Sequence, residues 1–312
     1  MKETLADDHS DIYIGQPSVE SVQSTALQKA TNQNRWLEFW HRYKRNRSAV
    51  FGLFLIIIFF VLGVLARLIA PYDPHSIGVG EIFSLPTSRN IMGTDDLGRD
   101  VFSGILYGIQ VSLFVGLVAV STSALIGTIT GAISGYFGGW SDDILMRITE
   151  LFLVVPKLFL ALATVAIFGP SLFNVSLIIG ILSWPSIARV VRAEFLARRD
   201  IEFVEAARGL GASNLDIILT EILPNVIPVV IVTASLQIAH AILLEAGLSF
   251  LGLGDPDARS LGFMLKDAIP LLRKAWWVAV FPGLTITLIT LGFNLTGDGL
   301  NDALNPRLRE KY

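Results

Sequence analysis

Long, nearly uncharged apolar stretches alternate along the chain with polar, basic or glycine-rich ones. A helix needs about 20 mostly apolar residues to cross about 30 Å of hydrocarbon. Six segments have that length and character: Ala49–Ala70, Ile109–Tyr136, Ile144–Phe168, Val175–Val191, Ile222–Glu245 and Trp276–Leu295. The first is the most uniform, its run from Phe51 to Phe60 carrying no charge. The second is long and rich in Gly and Ser, with Gly127, Gly131, Gly135 and Gly139 recurring every four residues. Small residues at that spacing share one helix face and admit a close neighbour, from this chain or from a partner.

Composition sharpens this pattern. Of 312 residues, 52% are hydrophobic and 16% charged. Soluble domains carry about 25% charged residues, so an ordinary soluble enzyme is excluded, as is disorder over most of the length. A net charge of −3 excludes a strongly basic nucleic-acid binder. With no cysteine there is no disulfide framework, thiolate metal site or thiol nucleophile, and His9, His41, His75 and His240 are too scattered for a metal cluster. The expected class is an all-α polytopic membrane protein, with no metal site of its own.

Orientation follows from the basic residues. Sixteen of the 24 Lys and Arg fall in 1–48, 137–147, 189–221 and 296–312, and seven in the alternate segments. The positive-inside rule therefore places both termini in the cytoplasm. A cleaved signal peptide is not expected, because the first apolar run starts near residue 49. Residues 1–34 read as a disordered cytoplasmic tail. Residues 35–48 interleave aromatic and basic side chains, as an interfacial amphipathic helix does. After the first span, 71–106 is expected as an extracytoplasmic loop, 107–297 as the core and 298–312 as a cytoplasmic tail.

The segment 192–221 is too structured for a plain connection. Glu205-Ala-Ala-Arg208 favours helix, and Gly209 and Gly211 are expected to break it. Ser213, with Asp216 three residues on, resembles a capping box that opens a second short helix. Two short helices around a glycine bend predict a compact cytosolic knob. Most loops between membrane helices are short, so about 30 residues spent on capped helices favour a docking surface over a solvated connection.

These residues carry a resemblance. Glu205-Ala206-Ala207, Gly211 and Leu223-Pro224 are similar to the "EAA" motif of permease subunits in ABC-type importers. Asn90-Ile-Met-Gly-Thr-Asp-Asp-Leu-Gly-Arg-Asp-Val-Phe102, Glu245-Ala-Gly-Leu-Ser-Phe-Leu-Gly-Leu-Gly254 and the stretch Leu291 to Arg307 resemble signatures of the dipeptide, oligopeptide and nickel permease family. Four such matches in order on six spans resemble its "C" permease, with Glu221 a departure where the broad motif is apolar. The resemblance implies a type I importer fold in the inner membrane of a prokaryote. It also implies a second homologous permease, two cytosolic ATPase subunits that bind ATP and Mg, and an extracytoplasmic substrate-binding protein. The ATPase-coupling residues would be Glu205, Ala206, Ala207, Gly209, Gly211, Ser213 and Asp216. The loop charges Asp95, Asp96, Arg99 and Asp100 would receive the binding protein, unless they form a salt-bridged loop cap. Di- or oligopeptides are the expected cargo, with nickel complexes or oligosaccharides as alternatives.

No G-x-x-x-x-G-K-[ST] phosphate cradle occurs, so ATP hydrolysis is assigned to partners and this chain is not expected to be an enzyme. Ser249 near His240 faintly resembles an intramembrane serine protease, which needs the two within hydrogen-bond reach. Ionisable residues in a membrane usually face protein or water. Lys157, about 20 Å along a straight third span, either meets a substrate carboxylate or pairs with Glu150. Gln237, His240 and Glu245 in the fifth span either line the path or satisfy interhelical bonds. In a secondary symporter, the competing class, Lys157, His240 and Glu245 would form a proton relay. A structural scaffold would use the knob without transport.

Overall fold

A computed structural model describes residues 39–304. Residues 39–42 belong to a separate N-terminal unit, and the main body begins at Tyr43. The expected disordered tail, the start of the interfacial helix and the last eight residues lie outside the described residues. Residues 39–45 are helical, and Asn46 interrupts the helix expected over 35–48.

The body is helical, and among the described residues its one β-type pairing is the isolated Thr94–Asp100 bridge. The long elements are α1 (Arg47–Val64), α2 (Val101–Phe137), α3 (Gly139–Val154), α4 (Lys157–Phe168), α5 (Leu172–Arg198), α6 (Glu202–Gly209), α7 (Leu223–Phe250), α8 (Leu261–Ala268) and α9 (Trp277–Leu304). Among the described residues, five helical runs are long and apolar enough to cross a membrane, and the bent pair α3–α4 makes up to six. Side chains of Asn46, Asp100, Ser171, Ser213 and Ser260 accept hydrogen bonds from the first turns they precede. These caps explain why the helices start where they do.

Several expected boundaries move, each for a local reason. The second span starts at Val101 rather than Ile109, because Asp100 caps it and Val101, Ile105 and Leu106 are buried. Its 37 residues reach about 55 Å, more than the hydrocarbon thickness, so the first turns lie beneath the loop. The fourth span runs on to Arg198, and α9 continues to Leu304, into the expected tail.

The largest correction is the third span, which is not straight. Val155 (φ −85°, ψ 130°) and Pro156 (φ −58°, ψ 124°) are both extended, and the axis turns by 89° between α3 and α4. Proline disfavours helix in the residue before it, and β-branched Val155 yields readily to the extended form.

Helix association in lipid rests on close packing rather than hydrophobic transfer. The α2–α5 pair uses the glycine face. A Cβ at Gly131 would lie 2.5 Å from the Ala188 carbonyl oxygen, and one at Gly127 or Gly135 would lie 2.8 Å from Ile187 Cβ or 2.6 Å from Phe195 Cβ. This face is thus filled from within the chain. Gly139 does not share it, because the helix has ended at Gly138.

Three buried clusters follow. Leu55, Phe59, Ile105, Ile242, Met264 and Ile289 gather beneath the 65–100 and 251–276 segments. Val115, Ala161, Val175, Ile179 and Leu248 form a second cluster. Val191, Phe195, Val204, Ile217 and Ile222 close the opposite end.

Candidate functional site

The knob is built from α6 and the first turns leading to α7. Val204 is fully buried among Phe195 and Ile217, which fixes one face of α6 and leaves Glu205 and Ala206 exposed and Ala207 half-buried. The helix ends in a Schellman motif, with Gly211 N–H on the Arg208 carbonyl (3.1 Å) and Ala212 N–H on the Ala207 carbonyl (3.1 Å). Gly211 occupies the left-handed position (φ 86°), whereas Gly209 is an ordinary helical residue. The expected double break at Gly209 and Gly211 is thus a single one at Gly211.

Ser213 accepts the Asp216 N–H (3.2 Å), and its hydroxyl donates to the Asp216 carboxylate (2.6 Å). This differs from a capping box, in which the acidic side chain would reach the N-cap N–H. Nor is a separate second helix present: Asn214 to Phe250 is one continuous run. It passes through a π-turn over Ile217–Ile222, closed by Leu223 N–H on the Ile218 carbonyl. Pro224 and Pro228 withhold two helix donors just beyond, which favours such an irregular turn. Leu210 (90% exposed), Leu215 and Leu219 stand out as apolar residues absent from the expected set.

The loop charges have a different fate. Asp95 accepts the N–H groups of Leu97 and Arg99 (both 2.9 Å) on one oxygen and Arg99 Nε (2.6 Å) and Arg259 (3.0 Å) on the other. Asp100 accepts Asn90 Nδ2 (2.9 Å), Ser103 N–H (2.8 Å) and the Ser103 hydroxyl (2.7 Å). Arg99 also reaches Asp96 and Asp267 at 3.8 Å. Trp277 Nε1 donates to the Thr94 carbonyl (3.1 Å), stitching loop 65–100 to α9. Burial, then the neighbouring Arg99 guanidinium, pulls Arg259 below the ordinary arginine range, while Asp95 and Asp267 draw it back up. Asp95 and Asp100, 2% and 4% exposed, cannot present themselves to a partner; Asp96, its side chain 43% exposed, is the open one of the four. Arg259, Asp267 and Trp277 were not singled out by sequence, since nothing local joins residues that far apart to the loop.

The span residues divide similarly. Gln237 accepts the Ser123 hydroxyl (3.0 Å) and donates to the Ser183 carbonyl (3.3 Å), bonding α7 to α2 and α5. Glu245, 2% exposed, accepts the Ser249 hydroxyl (2.6 Å). His240 is exposed and turns its Nδ1 to the Leu236 carbonyl of its own helix. Ser249 thus serves Glu245 rather than His240, which removes the protease geometry. The expected Lys157–Glu150 pairing is absent. The α3–α4 bend separates the two, Glu150 pairs with Arg147 (3.7 Å), and Lys157 opens α4 with no ion pair among the described residues.

Comparison with known proteins matches this fold. Residues 127–310 match the family described as "Binding-protein-dependent transport system inner membrane component", and 34–86 match the "N-terminal TM domain of oligopeptide transport permease C". The dipeptide transport system permease protein DppC of Haemophilus influenzae is 39% identical over 280 residues, covering 88% of this chain and 95% of that protein. The glutathione transport system permease protein GsiD of Escherichia coli O6:K15:H31 is 41% identical over 276 residues, covering 88% and 91%. A chain of the MetNI methionine ABC transporter, solved in inward-facing conformations, superposes with a TM-score of 0.54 at 19% identity, over 65% of this chain and 96% of its own. That likeness shows the fold alone. The family match across more than half of the sequence, together with relatives aligned along nearly their whole length, places the chain in the dipeptide, oligopeptide and nickel permease family, as a permease subunit of an ABC importer.

Proposed function

We propose that this chain is one of two permease subunits that import di- or oligopeptides across the cytoplasmic membrane of a bacterium, driven by ATP hydrolysed on partner subunits. The similarity to a dipeptide permease along 95% of that relative's length carries this reading. Both termini face the cytoplasm, so the segments 65–100 and 251–276 form an extracytoplasmic cap and the knob meets the cytosol.

The knob is the ATPase-coupling surface in this reading. Glu205 is its polar anchor, Ala206 and Ala207 allow close approach, and Gly211 with the Ser213–Asp216 cap sets its shape. Leu210, Leu215 and Leu219 add apolar surface that a partner would cover, which supports a docking role. Closure of the two ATPases around ATP and Mg draws the knobs together and turns the core outward; hydrolysis resets it. The binding protein delivers cargo to the cap. Glutathione is itself a tripeptide and falls within the same cargo class, with selection left to the binding protein.

The test is reconstitution in liposomes with the second permease, both ATPases and the binding protein, followed by uptake of labelled dipeptide and glutathione. Uptake that requires ATP and the binding protein is expected. Uptake that follows a proton gradient and ignores ATP overturns the reading in favour of a symporter.

A further inference from the structure

Helix α3 is thinly packed within its own chain. Of its residues only Thr149 is buried, and the Thr149 hydroxyl is spent on the Leu145 carbonyl of the same helix (2.7 Å). Ile144, Ile148, Leu151 and Val154 are exposed. Arg147 and Glu150 meet each other at 3.7 Å along α3 itself. Between α3 and α5 lies a cleft of about 610 Å³ whose lining includes Met146, Glu150, Arg189 and Ala193. The two helices meet again further on, where the Phe152 and Trp184 rings pack edge to face at 5.7 Å.

One polar cluster ties this loose helix down. Asp142 accepts Arg192 Nε on one carboxylate oxygen and Nη2 on the other (2.5 Å each), and the Ser134 hydroxyl donates to the first oxygen as well. Among the described residues, no other α3 side chain forms a hydrogen bond or ion pair with another helix. A two-pronged arginine–carboxylate contact fixes direction as well as distance. Direction is what the entry to α3 leaves open: Gly138 and Gly139 both sit in the left-handed region (φ 65° and 53°), and a Cβ at Gly139 would stand in open space.

The same cluster adjoins the root of the knob. Arg192 lies one helical turn before Phe195, which clusters with Val204 and Ile217. Ser134 lies two residues before Tyr136, whose hydroxyl donates to Asn214 (2.8 Å). Arg199, at the end of α5, donates to the Gly135 carbonyl (3.4 Å). The residues that hold the knob and those that hold α3 are therefore neighbours on the same two helices, α2 and α5.

We infer that Asp142 and Arg192 are a positioning pair for transport, which makes α3 follow the knob-bearing helices when the ATPases close. Without the pair, α2 and α5 move with the knob and α3, held by little else in this chain, lags behind. The inference deepens the coupling reading above and rests on it.

The chain has no cysteine, so labels can be placed one pair at a time. Nitroxides are attached at Ile77→Cys in the cap with Ala197→Cys on α5, and at Ile77→Cys with Ile148→Cys on α3, all exposed positions. Both distances are measured by pulsed electron spin resonance in the full complex with cysteine-free partners, first without nucleotide and then with ATP held on hydrolysis-deficient ATPases. With the pair intact, both distances are expected to shift on ATP binding. In Asp142→Asn, where an amide donor replaces one accepting oxygen, the α5 shift should persist and the α3 shift should be lost. Arg192→Lys keeps the charge but not the fork, so it should reduce the α3 shift, and it answers the same question if Asp142→Asn does not assemble. With active ATPases in proteoliposomes, dipeptide uptake per ATP hydrolysed should fall about tenfold in Asp142→Asn, the factor of one charge-assisted hydrogen bond.

An α3 shift as large in the variants as with the pair intact overturns the inference. So does an intact complex in which the α5 label responds to ATP and the α3 label does not. An intact complex in which neither label responds defeats the coupling reading itself, before any variant is compared.

Discussion

At the capped end, Asp95 and Asp100 have both carboxylate oxygens engaged and almost no exposed surface. At the knob end, Glu205 stands in solvent with no ion pair among the described residues, and the glycine beside it turns a bend rather than packing. Both regions are short runs of acidic residues, arginine and glycine, and both belong to the sequence signatures. One is spent inside the molecule, holding loop 65–100 onto α8 and α9. The other is presented outward. A signature of charges therefore does not reveal whether it faces a partner; burial and hydrogen bonding do.

The sharpest way to break this contrast is Asp95→Ala. It leaves Arg259 buried without its nearest carboxylate, and a loss of about 3–5 kcal/mol in stability is expected, read as a lower melting temperature by tryptophan fluorescence. Unchanged melting with lost capture of the binding protein would return Asp95 to the docking surface. Gly131→Ala tests the packed middle between the two ends. Overpacking against the Ala188 carbonyl should cost about 1–3 kcal/mol by the same measurement.

At the knob the effects on folding should be smaller and those on coupling larger. Gly211→Ala places a side chain at φ 86° and should cost about 1 kcal/mol, while dipeptide uptake per ATP hydrolysed falls severalfold. Glu205→Ala should change melting by no more than about 0.5 kcal/mol and still lower uptake per ATP. Opposite in sign, Gly209→Ala sits in a helical position with open space around its Cβ. It should stabilise by about 0.4–1 kcal/mol and leave coupling intact. If Gly209→Ala uncouples as strongly as Gly211→Ala, the bend is not what the ATPase reads.

Much of the bundle was legible in the apolar runs, because span length and the glycine spacing are local properties. The Gly127–Gly131–Gly135 face and the Ser213 cap could be read from spacing alone. The α3–α4 turn was signalled only by Val155-Pro156, since the apolar composition runs straight through it. The burial of Asp95 and the bonds of Gln237 depend on Arg259, Ser123 and Ser183, residues distant in sequence, so no local pattern could report them.

The knob is rooted rather than hung. Val204, Ile217 and Ile222 are wedged among Val191 and Phe195 of α5, and Tyr136 at the foot of α2 donates to Asn214 (2.8 Å). Because α2 and α5 touch backbone to backbone along their glycine face, the root of the knob, α2 and α5 are packed as one block. Under the coupling reading proposed above, a load applied at Glu205 would be borne by that block rather than by the loops around it.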